Sequence, residues 1–310
     1  MSFTNPSAVL TTPKLYRDAS ATTWPRITLV TAVYNGKRYL EDTIRSIVSQ
    51  GYPNLEYFIV DGASTDGTQE IIRKYENHLS GWISESDKGV YDALNKGFAR
   101  STGEIMGWLN ASDMLQTNGL FVVGSVFATL PEVEWVTGRP TGFSSNGMAV
   151  RVAPQLPRWS RRAFLAGANK YIQQESTFWR RSLWERAGGY VDPSYRAEGD
   201  FDLWVRFFRH ARHFSVDALV GGYRSHEDAL SSSDISRYDR ICDEIVEREL
   251  NSVPLGKPLK VFRRIDRLVQ PIRVVRALWY WIVVKAFYRT LSFDQSPIIE
   301  YQENRWVIQR

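Results

Sequence analysis

"FIVDGASTDGTQEII", residues 58–72, runs a short apolar strand into a carboxylate, a tight polar turn and then a helical pattern. Strand, turn and helix in that order make the first half of a βαβ unit. The order recurs on both sides. "RITLVTAVY" (26–34) precedes "YLEDTIRSIVSQ" (39–50), where Leu40, Ile44, Ile47 and Val48 share one helical face and Gly51 and Pro53 stop the helix. "LEYFIVD" (55–61) leads into "TQEIIRKYENHL", with Ile71, Ile72, Tyr75 and Leu79 inward. "GWISES" precedes "VYDALNKGFAR", "EIMGWLN" precedes "NGLFVVGSVFATL", and "VEWVTG" follows. This alternation through the first 137 residues predicts an α/β fold, a doubly wound and mostly parallel sheet flanked by helices. Right-handed crossovers then bring the strand C-termini to one edge, where such sheets bind ligands. Tyr34 and Asn35, Asp61, Glu85 to Asp87, and Asn110 to Asp113 all follow strands and all collect there.

From 138 to 170 turn formers and basic residues predict a long excursion. "ESTFWRRSLWERAGG" (175–189) has helical spacing, and "DFDLWVRFFRHAR" (200–212) reads as an amphipathic helix opened by acids. "HFSVDALVGGYRSH" (213–226) reads as a late strand pair or hairpin. From about 236 the chain reads as helical, basic and aromatic. The expected organisation is a lead-in (1–25), an α/β domain (26–235) and a C-terminal basic helical extension (236–310).

Composition narrows the class. At 310 residues and 43% hydrophobic the chain can bury a real core. The single cysteine, Cys242, excludes an intrachain disulfide framework and suits a reducing compartment. "MSFTNPSAVLTTPKLYRD" reads as no signal peptide, and no apolar run approaches the roughly 18 residues of a membrane span. A cytoplasmic setting is expected. The net charge of +5 is uneven: nine Lys or Arg between Lys257 and Arg289 face one acid, Asp266. Basic and aromatic residues interleave there, and Pro271 divides the segment. That composition predicts attachment to a membrane surface through residues 257–290, ahead of a homo-oligomer contact. Nucleic acid is disfavoured, because "WYWIVV" is apolar on all sides.

Two phosphate motifs fail. Gly62 to Gly67 has phosphate-loop spacing, but Thr68 and Gln69 stand where Lys and Ser/Thr are required. No G-x-G-x-x-G follows a strand, which argues against a dinucleotide site.

The blocks "TAVYNGKRYLEDTIRSIVSQGYPNLEYFIVDGASTDGT" and "SESDKGVYDALNKGFARSTGEIMGWLNASD" closely resemble family-2 glycosyltransferases of the GT-A fold, over about residues 27–235. The resemblance implies an inverting enzyme with a nucleoside-diphosphate sugar donor (UDP favoured). It also implies a divalent metal, Mn2+ or Mg2+, and a glycan or lipid-linked glycan acceptor. It assigns Asp61 to the nucleobase, with Val33 and Tyr34 packing around it. Asp87, Asn95 and Lys96 fall to ribose and diphosphate, and Asn110 and Ala111 to the donor. Acids are common where this chain has Asn110 and Ser112, leaving Asp113 as the lone carboxylate of the metal block. His226 is the second metal candidate, and Gln174 and Glu175 are placed on the acceptor side. Inverting transfer needs a carboxylate base. The resemblance favours Asp200 over its neighbours Glu198 and Asp202, which share a different helical face.

Each assignment has a structural rival. Asp61 could close an Asx turn, Asn95 and Lys96 could form a solvated helix face, and Glu198 and Asp202 could serve the helix dipole. Two whole-protein alternatives stand beside transfer. One is a nucleotidyltransferase, which would release pyrophosphate, and the other is a membrane-associated sugar-binding scaffold.

Overall fold

A computed structural model describes residues 24–167, 171–227, 235–252, 259–261, 263–265 and 296–309. Strand β1 (Ile27–Val33) is buried at all seven positions, as its unbroken apolar run requires of a strand covered on both faces. Helix α1 (Leu40–Val48) turns Leu40, Ile44 and Ile47 inward. There follow β2 (Leu55–Asp61), α2 (Thr68–Lys74), β3 (Gly81–Ser84), α3 (Val90–Phe98), β4 (Ile105–Trp108) and the short β5 (Met114–Leu115). Then come α4 (Gly119–Thr129), β6 (Trp135–Thr137), β7 (Thr141–Phe143), β8 (Ala149–Val152), α5 (Arg161–Ala166) and β9 (Thr177–Arg180). The chain continues as α6 (Arg181–Arg186), α7 (Gly199–His210), β10 (Phe214–Val216), β11 (Gly221–Arg224), α8 (Ile235–Ser252), β12 (Ile298–Gln302) and β13 (Arg305–Gln309).

The main sheet has the order β13-β12-β10-β6-β9-β4-β1-β2-β3, and a second sheet has β5-β11-β7-β8. Pairing is parallel from β4 through β1 and β2 to β3, and again among β6, β10 and β12. The register aligns Val33 with Asp61 and Asp61 with Ser84, so the carboxyl ends of three strands finish level. The expected doubly wound sheet is therefore present.

Three expectations are corrected. Residues 177–180 form a strand, antiparallel between β4 and β6, instead of helix. Phe178 packs in one core cluster and Trp179 in the other, so the segment needs the two-residue period of a strand buried on both faces. Residues 213–226 make no hairpin: β10 joins the main sheet and β11 the second. The extension is not helical throughout, because β12 returns to pair with β10 and β13 closes that edge. Of the basic segment 257–290, all but residues 259–261 and 263–265 lies outside the described residues, as does most of the lead-in.

Tryptophans dominate one core. Trp204 of α7 stacks on Trp108 at 6.0 Å and 7° and on Trp135 at 5.6 Å, and meets Trp179 edge-on at 5.8 Å. On the other side of the sheet Ile299 and Trp306 are buried, and the Trp306 indole N–H donates to Ser125 Oγ on α4 at 2.7 Å. Trp306→Ala should therefore cost about 3–5 kcal/mol of stability, read as a lower denaturant midpoint. An unchanged midpoint would mean that the terminal hairpin is a detachable appendage.

Candidate active site

A cleft of about 1360 Å³ opens along the carboxyl ends of β1 and β4. That exceeds the roughly 300–1,000 Å³ typical of one small-molecule site. Its lining divides by origin. One part comprises Val33, Tyr34, Asn35, Asp87 and Asn110 to Asp113, from loops after parallel strands. The other comprises residues of β7, β8, 171–175, the start of α7, Ser225, His226, Ile235 and Tyr238.

Asp200 sits in the first turn of α7, lines the cleft and accepts from the backbone N–H of Phe201 at 2.7 Å. Burial pushes its pKa up to about 7, and nearby Glu198 adds to the rise. Glu198 and Asp202 turn to arginines instead. Arg237 holds Glu198 at 2.7 Å, while Arg206 (2.8 Å) and Arg248 (2.7 Å) hold Asp202. Tyr91 meets the backbone at Gly199 and Asp200, and the pKa of Tyr238 on α8 is pushed well up by burial and then by the nearby Asp200 charge. Sequence reading missed both tyrosines. Tyr238 lies 38 residues beyond Asp200, on a helix whose only sequence signal is amphipathicity.

Asp113 is buried at the cleft wall. Its Oδ1 accepts from the Arg224 backbone N–H at 2.8 Å and its Oδ2 from Asn110 Nδ2 at 3.1 Å. Burial holds its pKa above the usual carboxylate range. Asn110 also donates to Gln174 Oε1 at 3.3 Å, and Gln174 Nε2 donates to the Trp108 carbonyl at 2.6 Å. Glu175 is buried beside them. Desolvation, and then the charges of Asp113 and Asp200, push its carboxyl well up. Gln174 and Glu175 are thus buried at the cleft, with Glu175 close enough to both aspartates to feel their charges. Beta strand β11 can pass this close only because of its glycines. A Cβ on Gly221 would strike the Glu175 carbonyl, and one on Gly222 would strike Thr141 and Phe143. That approach delivers Arg224 to Asp113 and sets His226 into the cleft, 4.7 Å from the Tyr39 ring. Arg224, fully buried and tied to Asp42 at 3.0 Å, is a further site residue that sequence reading passed over.

Val33, Tyr34, Asp87, Asn110 and Ala111 line the cleft, but three expected donor contacts do not. Asp61 is wholly buried. Its carboxylate accepts from the Ser64 N–H, the Ser64 hydroxyl and, at 2.6 Å, the Ser84 hydroxyl, so it closes the turn. Asn95 is clamped on Val191, donating to its carbonyl at 2.7 Å and accepting from its N–H at 2.9 Å. Lys96 pairs with Glu85 at 2.9 Å and donates to the Ser86 carbonyl at 3.1 Å. In this structure each supports the loops that reach the cleft.

Among the described residues no three His, Cys, Asp or Glu side chains gather to hold a metal unaided. Asp113 and His226 nonetheless fit a hard divalent cation in donor chemistry, a carboxylate oxygen and an imidazole nitrogen. The raised pKa of Asp113 marks a carboxylate short of positive charge. Oxygens of a bound ligand would have to complete such a site.

The family model described as "Glycosyl transferase family 2" matches residues 28–121. A Bacillus subtilis glycosyltransferase named for teichuronic acid biosynthesis, TuaG, is 29% identical over 231 residues, 68% of this chain and 84% of that protein. An uncharacterized glycosyltransferase of Rickettsia typhi is 32% identical over 221 residues, 69% of each chain. Among solved structures, S. aureus TarS 1–349 in complex with UDP-GlcNAc superposes with a TM-score of 0.63 at 17% identity, over 85% of this chain and 77% of that 1–349 chain. The mannosyltransferase PcManGT of Pyrobaculum calidifontis, in complex with GDP-Man and Mn2+, does so at 0.53 and 19% identity, over 88% and 89%. These structures share the GT-A-type architecture built on the mixed sheet described above. With the ordered motif blocks, the cleft at the strand ends and relatives matched over two thirds of their length, the chain belongs to the family-2 glycosyltransferases.

Proposed function

We propose that the protein transfers a sugar, with inversion, from a nucleoside-diphosphate sugar to a hydroxyl of a glycan or lipid-linked glycan. The reading rests above all on Asp200, the carboxylate of the α7 first turn that lines the cleft while its neighbours are bound by arginines. UDP is the favoured nucleotide, supported by TarS, whose structure holds UDP-GlcNAc. Val33, Tyr34, Asp87, Asn110 and Ala111 would contact the donor, with Asp61, Asn95 and Lys96 acting behind them. Residues 26–235 form the catalytic domain in this reading, together with β12 and β13. Its setting is the cytoplasmic face of a membrane, held there by residues 257–290.

The acceptor oxygen attacks the anomeric carbon from the face opposite the diphosphate. The new C–O bond forms as the C–O bond to the β-phosphate breaks, and the bonding pair leaves on the phosphate oxygen. The hydroxyl proton passes to Asp200. A single displacement inverts the centre. Gln174 and Glu175 would border the acceptor side. Asp113 and His226 are the residues that would hold Mn2+ or Mg2+, whose chemistry is to neutralise charge on the departing diphosphate.

Asp200→Asn should lower kcat about 10²–10⁴-fold while keeping the thermal shift that the donor gives. Turnover at the wild-type rate would remove Asp200 as the base. Because a base works only deprotonated and the Asp200 pKa is raised to about 7, kcat/KM should fall with acidification below that point. The slope should reach about tenfold per pH unit, and a flat profile down to about pH 5 contradicts the assignment. A nucleotide sugar at about 100 times its Kd should stabilise the fold by about 2.7 kcal/mol, more in Mn2+ than in chelator. Asp113→Ala should erase the metal-dependent part. No shift with any nucleotide sugar, in either metal, defeats the donor reading.

A further inference from the structure

The candidate donor side of the cleft has an unbalanced charge. Asp87 and Asp113 line it, while Asn110 and Ser112 beside them are neutral. A nucleoside diphosphate brings several negative charges to that wall, and like charges brought together repel unless a cation stands between them. Asp113 and His226, with a divalent ion, would answer part of this. Among the described residues that line the cleft between Ala32 and Asp113, Arg38 is the only lysine or arginine. Arg151 and Arg196 reach the cleft from β8 and from the segment before α7.

Arg38 is exposed in the turn between β1 and α1, and the backbone of that turn is fastened on both sides. The N–H groups of Asn35, Gly36 and Lys37 donate to the Ser64 hydroxyl at 2.7 Å, the Thr68 hydroxyl at 2.9 Å and the Asp66 carboxylate at 3.0 Å. Just beyond the turn, the Thr43 hydroxyl of α1 lies within hydrogen-bond reach of the Ala111 carbonyl at 3.0 Å and the Asp113 carbonyl at 2.8 Å. Helix α1 is thereby tied to the candidate metal block.

The Arg38 side chain is held too. Its guanidinium carbon lies 4.9 Å from the centre of the buried Tyr39 ring, a cation–π contact. The same ring carries the Arg224 guanidinium at 4.9 Å and the His226 imidazole at 4.7 Å, so one phenol joins Arg38 to the wall that holds Asp113. The two acids in the first turn of α1 are engaged elsewhere, Glu41 by Lys74 at 2.6 Å and Asp42 by Arg224 at 3.0 Å. A planar guanidinium steadied on a ring at the edge of a cleft matches a phosphate in shape and charge, and gives up less freedom on binding it.

We propose that Arg38 binds the terminal phosphate of the departing nucleoside diphosphate, and that Tyr39 is the positioning residue that holds its guanidinium there. The proposal rests on the transfer reading above and adds to it a cation supplied by the chain itself. As the bond from the sugar breaks and its electron pair passes to the phosphate oxygen, Arg38 donates hydrogen bonds to that phosphate, and no proton leaves the guanidinium.

The test titrates the full chain calorimetrically with UDP and UMP, and with GDP and GMP beside them, each in Mn2+ and in EDTA. The wild type should bind the diphosphate at least about tenfold tighter than the monophosphate in both media, because Arg38 remains when the metal is removed. Arg38→Gln should weaken the diphosphate about tenfold and leave the monophosphate within about twofold, and in EDTA it should erase the preference. Tyr39→Leu should repeat that loss, while Tyr39→Phe, which keeps the ring, should retain the preference. Circular dichroism of each variant separates these changes from misfolding. An unchanged ratio of diphosphate to monophosphate affinity in Arg38→Gln overturns the proposal. So do equal losses for both nucleotides, which a displaced turn would give. A ratio retained in Tyr39→Leu removes Tyr39 from it. A wild-type chain that binds neither diphosphate defeats the donor reading itself, whereas normal binding with an unmoved ratio defeats this proposal alone.

Discussion

Stacking of Trp204 against three neighbouring strands fixes where the chemistry can occur. Its ring lies on Trp108 of β4 and Trp135 of β6 and meets Trp179 of β9 edge-on, so α7 is keyed to the centre of the main sheet. Aromatic pairs of this kind contribute about 0.5–1.5 kcal/mol each beyond the area they bury. Asp200 stands four residues before Trp204 and so shares its helical face. The face that docks on the sheet therefore also presents the carboxylate at the strand ends. Asp202 and Arg206 stand on another face, where they pair with each other and with α8 through Arg248. One packing contact thus decides which of three closely spaced acids meets the cleft.

The electrostatics follow the same division. Glu198, Asp202 and Glu249 are buried and each is held by at least one arginine. Glu175 is buried and Asp200 half-buried at the cleft, neither with an arginine in a salt bridge among the described residues, and both have pKa values pushed up by desolvation. Leaving a buried carboxylate without a cation costs stability, and such groups concentrate where a charge must be used. Asp113 is intermediate: Arg224 lowers its pKa, but burial outweighs that effect.

The parallel half of the fold was legible because its strands and helices alternate with clean periods and because four strands end on polar residues. The antiparallel strand β9 was not, since "STFW" satisfies a helical spacing by chance and only the two cores on either side of the sheet impose a two-residue period. The split of β10 from β11 was hidden for a related reason: a four-residue connection looks the same whether its strands pair or part. Asp200, Asp113, Asp87 and Tyr34, expected at the site from motif and position, line one cleft in the structure. Arg224, Tyr91 and Tyr238 escaped because their places depend on how distant elements meet, which no local pattern encodes.

Asp61, Asn95 and Lys96 show how motif residues brace the loops that reach the cleft. Asp61 holds the Ser64 hydroxyl, and that hydroxyl accepts from the Asn35 N–H at 2.7 Å. Asn35, in the left-handed region at φ 51°, accepts in turn from the Thr65 N–H at 3.0 Å. A non-glycine residue holds that conformation at a cost, so the two loops must brace each other for either to keep its shape. The carboxylate's work is then to fix the backbone on which Tyr34 and Asn35 stand at the cleft edge. Asn95 does the same for the Val191 segment, and Lys96 for the loop that carries Asp87. Substituting these residues would therefore be felt at the cleft edge through displaced loops.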